Sequence, residues 1–594
     1  MPIGKASHSP TIILFDNIAS TNHQYLNMSS FSNRLLTVVF AIFLLILPVQ
    51  TLIAQYSVNV LALPEYTTLW KEALTFMLMC ALSADIIRSQ KINEIFNQSQ
   101  LKHKLSALFS IFWPLILLTL LSIWALFTSI VLNNMPLSIT LLGFRFELWW
   151  LWLFALVFAW VKTRLYQQLP QQLSENNQRN NEKVSIESDS TLTLKKHSVW
   201  LFLYRTWFVS ILFIPLFIGV FAISIPPSAL QQLPAFLAKP SSTFFHSMRT
   251  SATLEILQTQ PFHTAFGYGL AASGPAGKDE YYEPYKVSQF PLFKENEAIA
   301  YNNGLVGEDL LIPENWFLQT ALNGGIFYAI GYLILVSIPL YQLKPWVYLL
   351  RKRGQHSTSQ EHEHQNEELN SQPINNQQKS ELTSIFNKKS AVILFRSALI
   401  GFGISAIITL LSLFLGQETV LSAFGFGKET TGFITQAPLS HVIDGGGWDS
   451  GLRLSGTFST PNHFAAYLLL LLPVLVAGFR IDKAWRWLYA LASSLSVVFI
   501  ILSFSRFAWL GLALCVAGWL GAILFQKVLP SKVSLPPSFI LFPLAFFAVI
   551  IGNLFLHVWE NQTVALLWTA VWFISQIFYS SSHIPTEPVQ DQPQ

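Results

Sequence analysis

Asn462-His-Phe-Ala-Ala-Tyr-Leu-Leu-Leu-Leu-Leu-Pro-Val-Leu-Val-Ala-Gly-Phe479-Arg-Ile-Asp-Lys-Ala-Trp-Arg486 is the stretch that decides the fold. Between Asn462 and Phe479 there is no Asp, Glu, Lys or Arg. At the helical rise per residue such a run covers about 27 Å, close to the hydrocarbon thickness of a bilayer. Arg480, Lys483 and Arg486 then follow directly. An apolar run closed by a basic cluster reads as a transmembrane helix ending at the cytoplasmic surface.

The same pattern recurs outward in both directions. Apolar runs fall at about 35–55, 69–88, 105–132, 146–161, 199–224, 322–343, 391–416, 462–479, 486–503, 507–525, 539–557 and 563–580. The fourth is short and borrows from the residues before it. This predicts an all-α protein, a polytopic bundle of about twelve spans with a large, partly helical external loop. Composition agrees: of 594 residues 52% are hydrophobic and only 11% charged, with mean hydropathy +0.43. A soluble domain carries about 25% charged residues. The 48 Phe and 19 Trp suit lipid-facing surfaces and interfacial belts.

Flanking charge sets the topology. Arg34, Arg88, Lys91, Lys102, Lys104, Lys162, Arg164, Lys344, Arg351, Lys352, Arg353, Arg480, Lys483, Arg486, Lys527 and Lys532 all fall on one side under strict alternation. Both termini are therefore expected in the cytoplasm, with the chain multi-pass in the cytoplasmic (inner) membrane. The net charge of +4 belongs to this pattern and implies no nucleic acid. The first run is too long for a cleaved signal peptide, so its helix is read as retained. Cys80 and Cys515 sit in apolar runs. Two cysteines exclude a zinc site by count and speak against a structural disulfide. No cofactor is implied.

The expected organisation is a tail (1–34), spans one to four (35–164), a disordered polar linker (165–198) and spans five and six (199–353) around external loop 225–321. A second linker (354–390), spans seven to twelve (391–580) with external loop 417–461, and a tail (581–594) complete it. His356, His362 and His364 lie in the second linker and read as solvated polar residues. The two external loops carry Gly, Pro, aromatics and isolated charges, so function is expected there.

The second loop ends in Gly451-Leu-Arg-Leu-Ser-Gly-Thr-Phe-Ser-Thr-Pro-Asn462. Arg453 beside a helix N-terminus makes an anion site, or else snorkels at the interface. Arg506, in the short turn Ser503-Phe-Ser-Arg-Phe507, is the other outer cation; it either helps grip a diphosphate or anchors the interface. The first loop holds His246-Ser-Met-Arg-Thr-Ser-Ala252, Gly267-Tyr-Gly-Leu-Ala-Ala-Ser-Gly-Pro-Ala276, Pro313-Glu-Asn-Trp-Phe-Leu-Gln319 and Asn323-Gly-Gly325. The glycine-rich piece lacks the Lys-Ser/Thr ending of a nucleotide loop. Glu314 reads equally as a general base and as a charge complementing a helix N-terminus.

Together these segments resemble the O-antigen ligase / O-antigen polymerase superfamily of bacterial membrane glycosyltransferases. The matching stretches are Arg453 to Asn462, Ser505 to Gly511, Gly267 to Ala276 and Pro313 to Gln319, with weaker likeness at Trp70-Lys-Glu72 and Asn553 to Ala565. The resemblance implies a metal-independent, inverting transfer from a polyprenyl-diphosphate-linked glycan donor to a glycan or lipid acceptor in an outward-facing cleft. It implies catalytic roles for Arg453 and Arg506, with Glu314 standing where the family has a histidine base. It places Arg249, Gly267, Gly269, Asn315, Ser455, Thr457 and Asn462 at substrate-binding positions. The chain departs from the family order: the block with Gly267 and Glu314 precedes the block with Arg453 and Arg506. Each block crosses the membrane an even number of times, so exchanging them preserves every helix direction. The rival expectations are a transporter or flippase of lipid-linked sugars, which should show ionisable residues in broken helices, and a non-catalytic scaffold of polysaccharide assembly.

Overall fold

A computed structural model describes residues 32–89, 92, 101–180, 240–270, 272–273, 315–342, 388–424, 454–458, 460–528, 538–555 and 562–581. Among them there are helices and turns and no strand. That follows from the solvent: in lipid a backbone must satisfy its own polar groups, and a helix does so within one segment.

The helices, in chain order, are α1 (Ser32–Val60), α2 (Trp70–Ile87), α3 (Leu101–Leu126), α4 (Leu137–Glu147), α5 (Trp149–Asn180), α6 (Pro240–Thr259), α7 (Pro261–Phe266), α8 (Trp316–Val336) and α9 (Ile338–Gln342). Then come α10 (Lys388–Leu415), α11 (Gln417–Ser422), α12 (Pro461–Ile481), α13 (Arg486–Leu502), α14 (Arg506–Val528), α15 (Ser538–Phe555) and α16 (Gln562–Ser581). Seven helices among the described residues are long and apolar enough to cross a membrane, or eight if the pair α4 and α5, bent by 50°, is one span. About twelve were expected along the whole chain; seven or eight candidates, by length and composition, lie among the described residues. The run at 199–224 lies outside the described residues. The α15 and α16 segments are shorter apolar helices, and α2 carries three charged side chains, Lys71, Glu72 and Asp85.

α12 is the central helix, with 78% of its apolar window buried. It packs against α10, α13, α14, α15 and α16. A helix that is apolar all round belongs inside a bundle, which is where its leucine run sits. α13 is peripheral, with 28% of its window buried and Trp487 82% exposed. Exposed Leu120, Ile123, Phe127, Leu411 and Phe414 continue that apolar exterior. In water this surface would be an aggregation hazard; against lipid it is a solvated face. The deepest core gathers Trp150, Trp160, Trp568 and Trp572, with Phe158 stacked on Trp572 at 6.1 Å.

Polar pairs mark the two ends of the bundle. At one end Asp85 accepts from Trp160 Nε1 at 2.6 Å and pairs with Arg164, and Asp482 accepts from Arg396 Nε at 2.7 Å. At the other lie Glu72 with Arg145, Asn462 with Ser505, and Gln50 with Thr563.

Three boundaries differ from the sequence expectation. α5 runs on to Asn180, into the stretch read as a disordered linker. Glu, Gln, Arg and Leu in that stretch are good helix formers and extend a helix already nucleated in the membrane. The segment 417–461, expected as an external loop, begins with a short helix, α11. The sixth run starts earlier, at Trp316, and is not straight: Gly325 interrupts α8 at φ 83°. The rings of Trp316 and Tyr332 lie 6.2 Å apart. Along a straight helix these positions would be separated by about 24 Å. α8 therefore doubles back on itself as a V with its apex at Gly325.

Candidate functional site

The V of α8 is pinned at its apex. Trp124 Nε1 donates to the Gly324 carbonyl at 2.8 Å, and Phe266 stacks on Trp124 at 5.1 Å. Gly267 has φ 79°, and a Cβ there would collide with the Asn323 carbonyl. This close approach lets the Tyr268 and Gly269 amides donate to the Leu322 and Asn323 carbonyls at 2.7 and 2.8 Å. Between the two arms sits Glu147, 2% exposed. One carboxylate oxygen accepts from Asn323 Nδ2 on the first arm, the other from the Tyr328 hydroxyl on the second at 3.1 Å. Ser273 donates from its amide and its hydroxyl to Asn323 Oδ1 at 2.9 and 2.8 Å. Gly267 and Gly269 thus hold backbone against the V. Asn315 caps the first arm, accepting from the Leu318 amide at 3.0 Å. Arg249 is half-buried on α6, which packs against α7 and α8. Glu314 lies outside the described residues.

A second group forms where α12, α13 and α14 meet. The Leu454 amide donates to the Leu502 carbonyl at 3.1 Å, so the segment after Arg453 lies on the α13–α14 turn. Ser505 Oγ donates to Asn462 Oδ1 at 2.9 Å, joining the N-termini of α12 and α14. Arg506 is the first residue of α14 and its side chain lies at the surface. Ser455 accepts from the buried Gln417 amide. Thr457 donates to the Pro48 carbonyl and accepts from Ser405 at 3.0 Å. Pro48 lies in the 3-10 turn Leu47–Val49 that breaks α1. Arg453 lies outside the described residues.

The two groups are connected. Gln50, two residues beyond Pro48, accepts from Thr563 at 3.1 Å. Gln562 Nε2 donates to the Arg145 carbonyl at 3.2 Å. Arg145 donates to Glu72 Oε1 from Nε at 2.9 Å and from a terminal nitrogen at 2.6 Å. Two residues after Arg145 comes Glu147, which clamps the V. The short helix α4 therefore links both motif blocks at one end of the bundle.

Lys71, Glu72, Arg145 and Glu147 were not singled out as site residues from sequence. The readable signal was charge inside apolar runs, which is rare in membrane helices and marks function. Trp70-Lys-Glu72 was noticed only for its likeness to a family motif. Among the described residues no group of three or more His, Cys, Asp and Glu could hold a metal ion. No protein-family model, no curated protein and no solved structure matches the chain.

Proposed function

We propose that the chain is a membrane glycosyltransferase, O-antigen ligase-like or a surface-polysaccharide polymerase, acting at the outer face of the cytoplasmic membrane. The donor is a polyprenyl-diphosphate-linked glycan and the acceptor a glycan or lipid. The twelve-span topology with both termini cytoplasmic belongs to this reading. The observation that carries it is the junction of Leu454 with Leu502 and of Asn462 with Ser505. It brings the segment after Arg453 and the start of α14 to one corner.

In the proposed reaction an acceptor hydroxyl attacks the anomeric carbon. The new C–O bond forms as the bond to the diphosphate breaks, and the electron pair leaves with the diphosphate. Arg453 and Arg506 neutralise that growing charge in a low-dielectric setting, and Glu314 takes the hydroxyl proton.

The test is reconstitution with lipid-linked donor and candidate acceptors, followed by product analysis. Arg453→Ala and Arg506→Ala should each lower transfer by about 10²-fold and leave donor accumulated. Normal transfer by both variants overturns the assignment.

One observation favours a second reading, a transporter of lipid-linked sugars: Glu147 sits at the break between α4 and α5, against a folded-back helix. Broken helices with an ionisable residue are how transporters build sites. Movement of donor across the bilayer without bond change would select it.

A further inference from the structure

A small pocket opens beside this polar layer, at the rim formed by α2, α4, α5 and α16. It is shallow and open at its mouth, and is lined by Lys71, Glu72, Thr75, Arg145, Trp149, Trp150, Gln562 and Leu566. Its polar groups are unusually incomplete. Lys71 is 8% exposed, and its only ion-pair contact among the described residues is Glu72 Oε1 at 4.0 Å. That is too long for a hydrogen bond. Arg145 spends two donors on the same Glu72 oxygen, so Glu72 Oε2 is buried without a partner. Thr75 Oγ1 and Trp149 Nε1 are likewise buried and unpartnered.

Charge and geometry point the same way. Lys71 and Arg145 against Glu72 leave one positive charge uncompensated. Burying it costs a great deal unless a counter-charge arrives. A lysine that merely snorkels extends into open water, whereas Lys71 is 8% exposed as a whole residue. Lys71 and Thr75 are one turn apart and share a face of α2. With the Trp149 indole they offer three converging kinds of donor, and Glu72 Oε2 offers one acceptor for an adjacent O–H. Trp149, at the start of α5, is of the residue type enriched where membrane helices meet headgroups.

We propose that the Lys71–Arg145 pocket binds one monoanionic phosphoryl group. It comes from the phosphodiester of an anionic lipid or from free phosphate. The site stands whether the chain transfers or transports glycans, because it rests on binding alone.

The full-length protein, purified in lipid-free detergent, is titrated separately with inorganic phosphate and with phosphatidylglycerol, and bound adducts are read by native mass spectrometry. One saturable adduct is expected, weakened about tenfold or more by Lys71→Met, the loss of one charge-assisted contact. Thr75→Val keeps every charge and should weaken it about threefold. An adduct seen only with the lipid identifies a headgroup site; one seen with phosphate alone identifies a free-anion site. No saturable adduct from either probe overturns the proposal, as does an adduct unchanged by Lys71→Met. If Lys71→Met elutes as aggregate, Thr75→Val decides, and unchanged binding by it overturns the proposal.

Discussion

Ser505 donates its hydroxyl to the side-chain carbonyl of Asn462 at 2.9 Å, across 43 residues of chain. The bond ties the first turn of α12 to the residue just before α14. It joins those two termini side chain to side chain and aligns both motifs that carry arginines. A hydrogen bond of this kind contributes about 1 kcal/mol net. A double-mutant cycle with Asn462→Ala and Ser505→Ala should therefore give a coupling of about 1 kcal/mol in thermal unfolding. Under the proposed function, each variant should lose transfer activity out of proportion to that stability loss. Additive unfolding with full activity would sever the junction from the site.

Two glycines should respond to alanine with opposite signs. At Gly325 the backbone has φ 83°, and a Cβ would meet the Ala265 carbonyl. Gly325→Ala must strain the backbone and open the V of α8, lowering stability by about 2 kcal/mol or more. At Gly403, in α10, nothing lies within 4 Å of the added carbon. Gly403→Ala gains helix propensity of up to about 1 kcal/mol. Unfolding temperatures of the two variants in one detergent check the contrast.

The helices were legible in sequence because lipid imposes a simple rule, and α12 obeys it all round. What lay beyond reach depended on long-range contact. Asn323-Gly-Gly325 stands at the start of the run expected at 322–343. Its fold-back becomes visible only when Ala265 and Trp124 lie against it. Arg145 and Glu147 were hidden inside an aromatic run, and their partners Glu72 and Asn323 are distant in sequence. Ser455 and Thr457 were expected to face a substrate. They are buried and bonded to Gln417, Ser405 and Pro48, so they hold the loop in place. Spacing alone cannot separate a polar residue that binds a ligand from one that secures a backbone.

Glu147 should prove sensitive to its acceptor count. Its two oxygens serve two donors, Asn323 Nδ2 and the Tyr328 hydroxyl. Glu147→Gln keeps the shape but offers one acceptor oxygen and one amide. The Tyr328 hydroxyl must then accept from the new amide, which leaves its own proton unpaired, at about 1–3 kcal/mol for a buried group. Glu147→Gln is expected to unfold earlier than wild type, and Tyr328→Phe, which removes the competing donor, should restore part of the loss in the Glu147→Gln background. No restoration would mean that the carboxylate does not bridge the two arms.

The opposite end of the bundle carries a pH dependence. Asp482, 4% exposed, accepts from Arg396 Nε at 2.7 Å and from a terminal nitrogen at 3.2 Å. That hydrogen bond, against the opposing effect of burial, holds the Asp482 carboxyl below the ordinary aspartate range. The folded state thus binds the proton more weakly than the unfolded chain does. The resulting stabilisation is fully present above the unfolded value of about 3.9 and is lost as pH falls through the lower folded value. Thermal unfolding of wild type and Asp482→Asn should differ at pH 7 and converge as pH falls below about 4. The Arg396 side chain is 38% exposed, so added salt should narrow the difference at pH 7 as well. A gap that stays constant from pH 7 to the acid limit would show that Asp482 contributes shape, through the end of α12, and not charge.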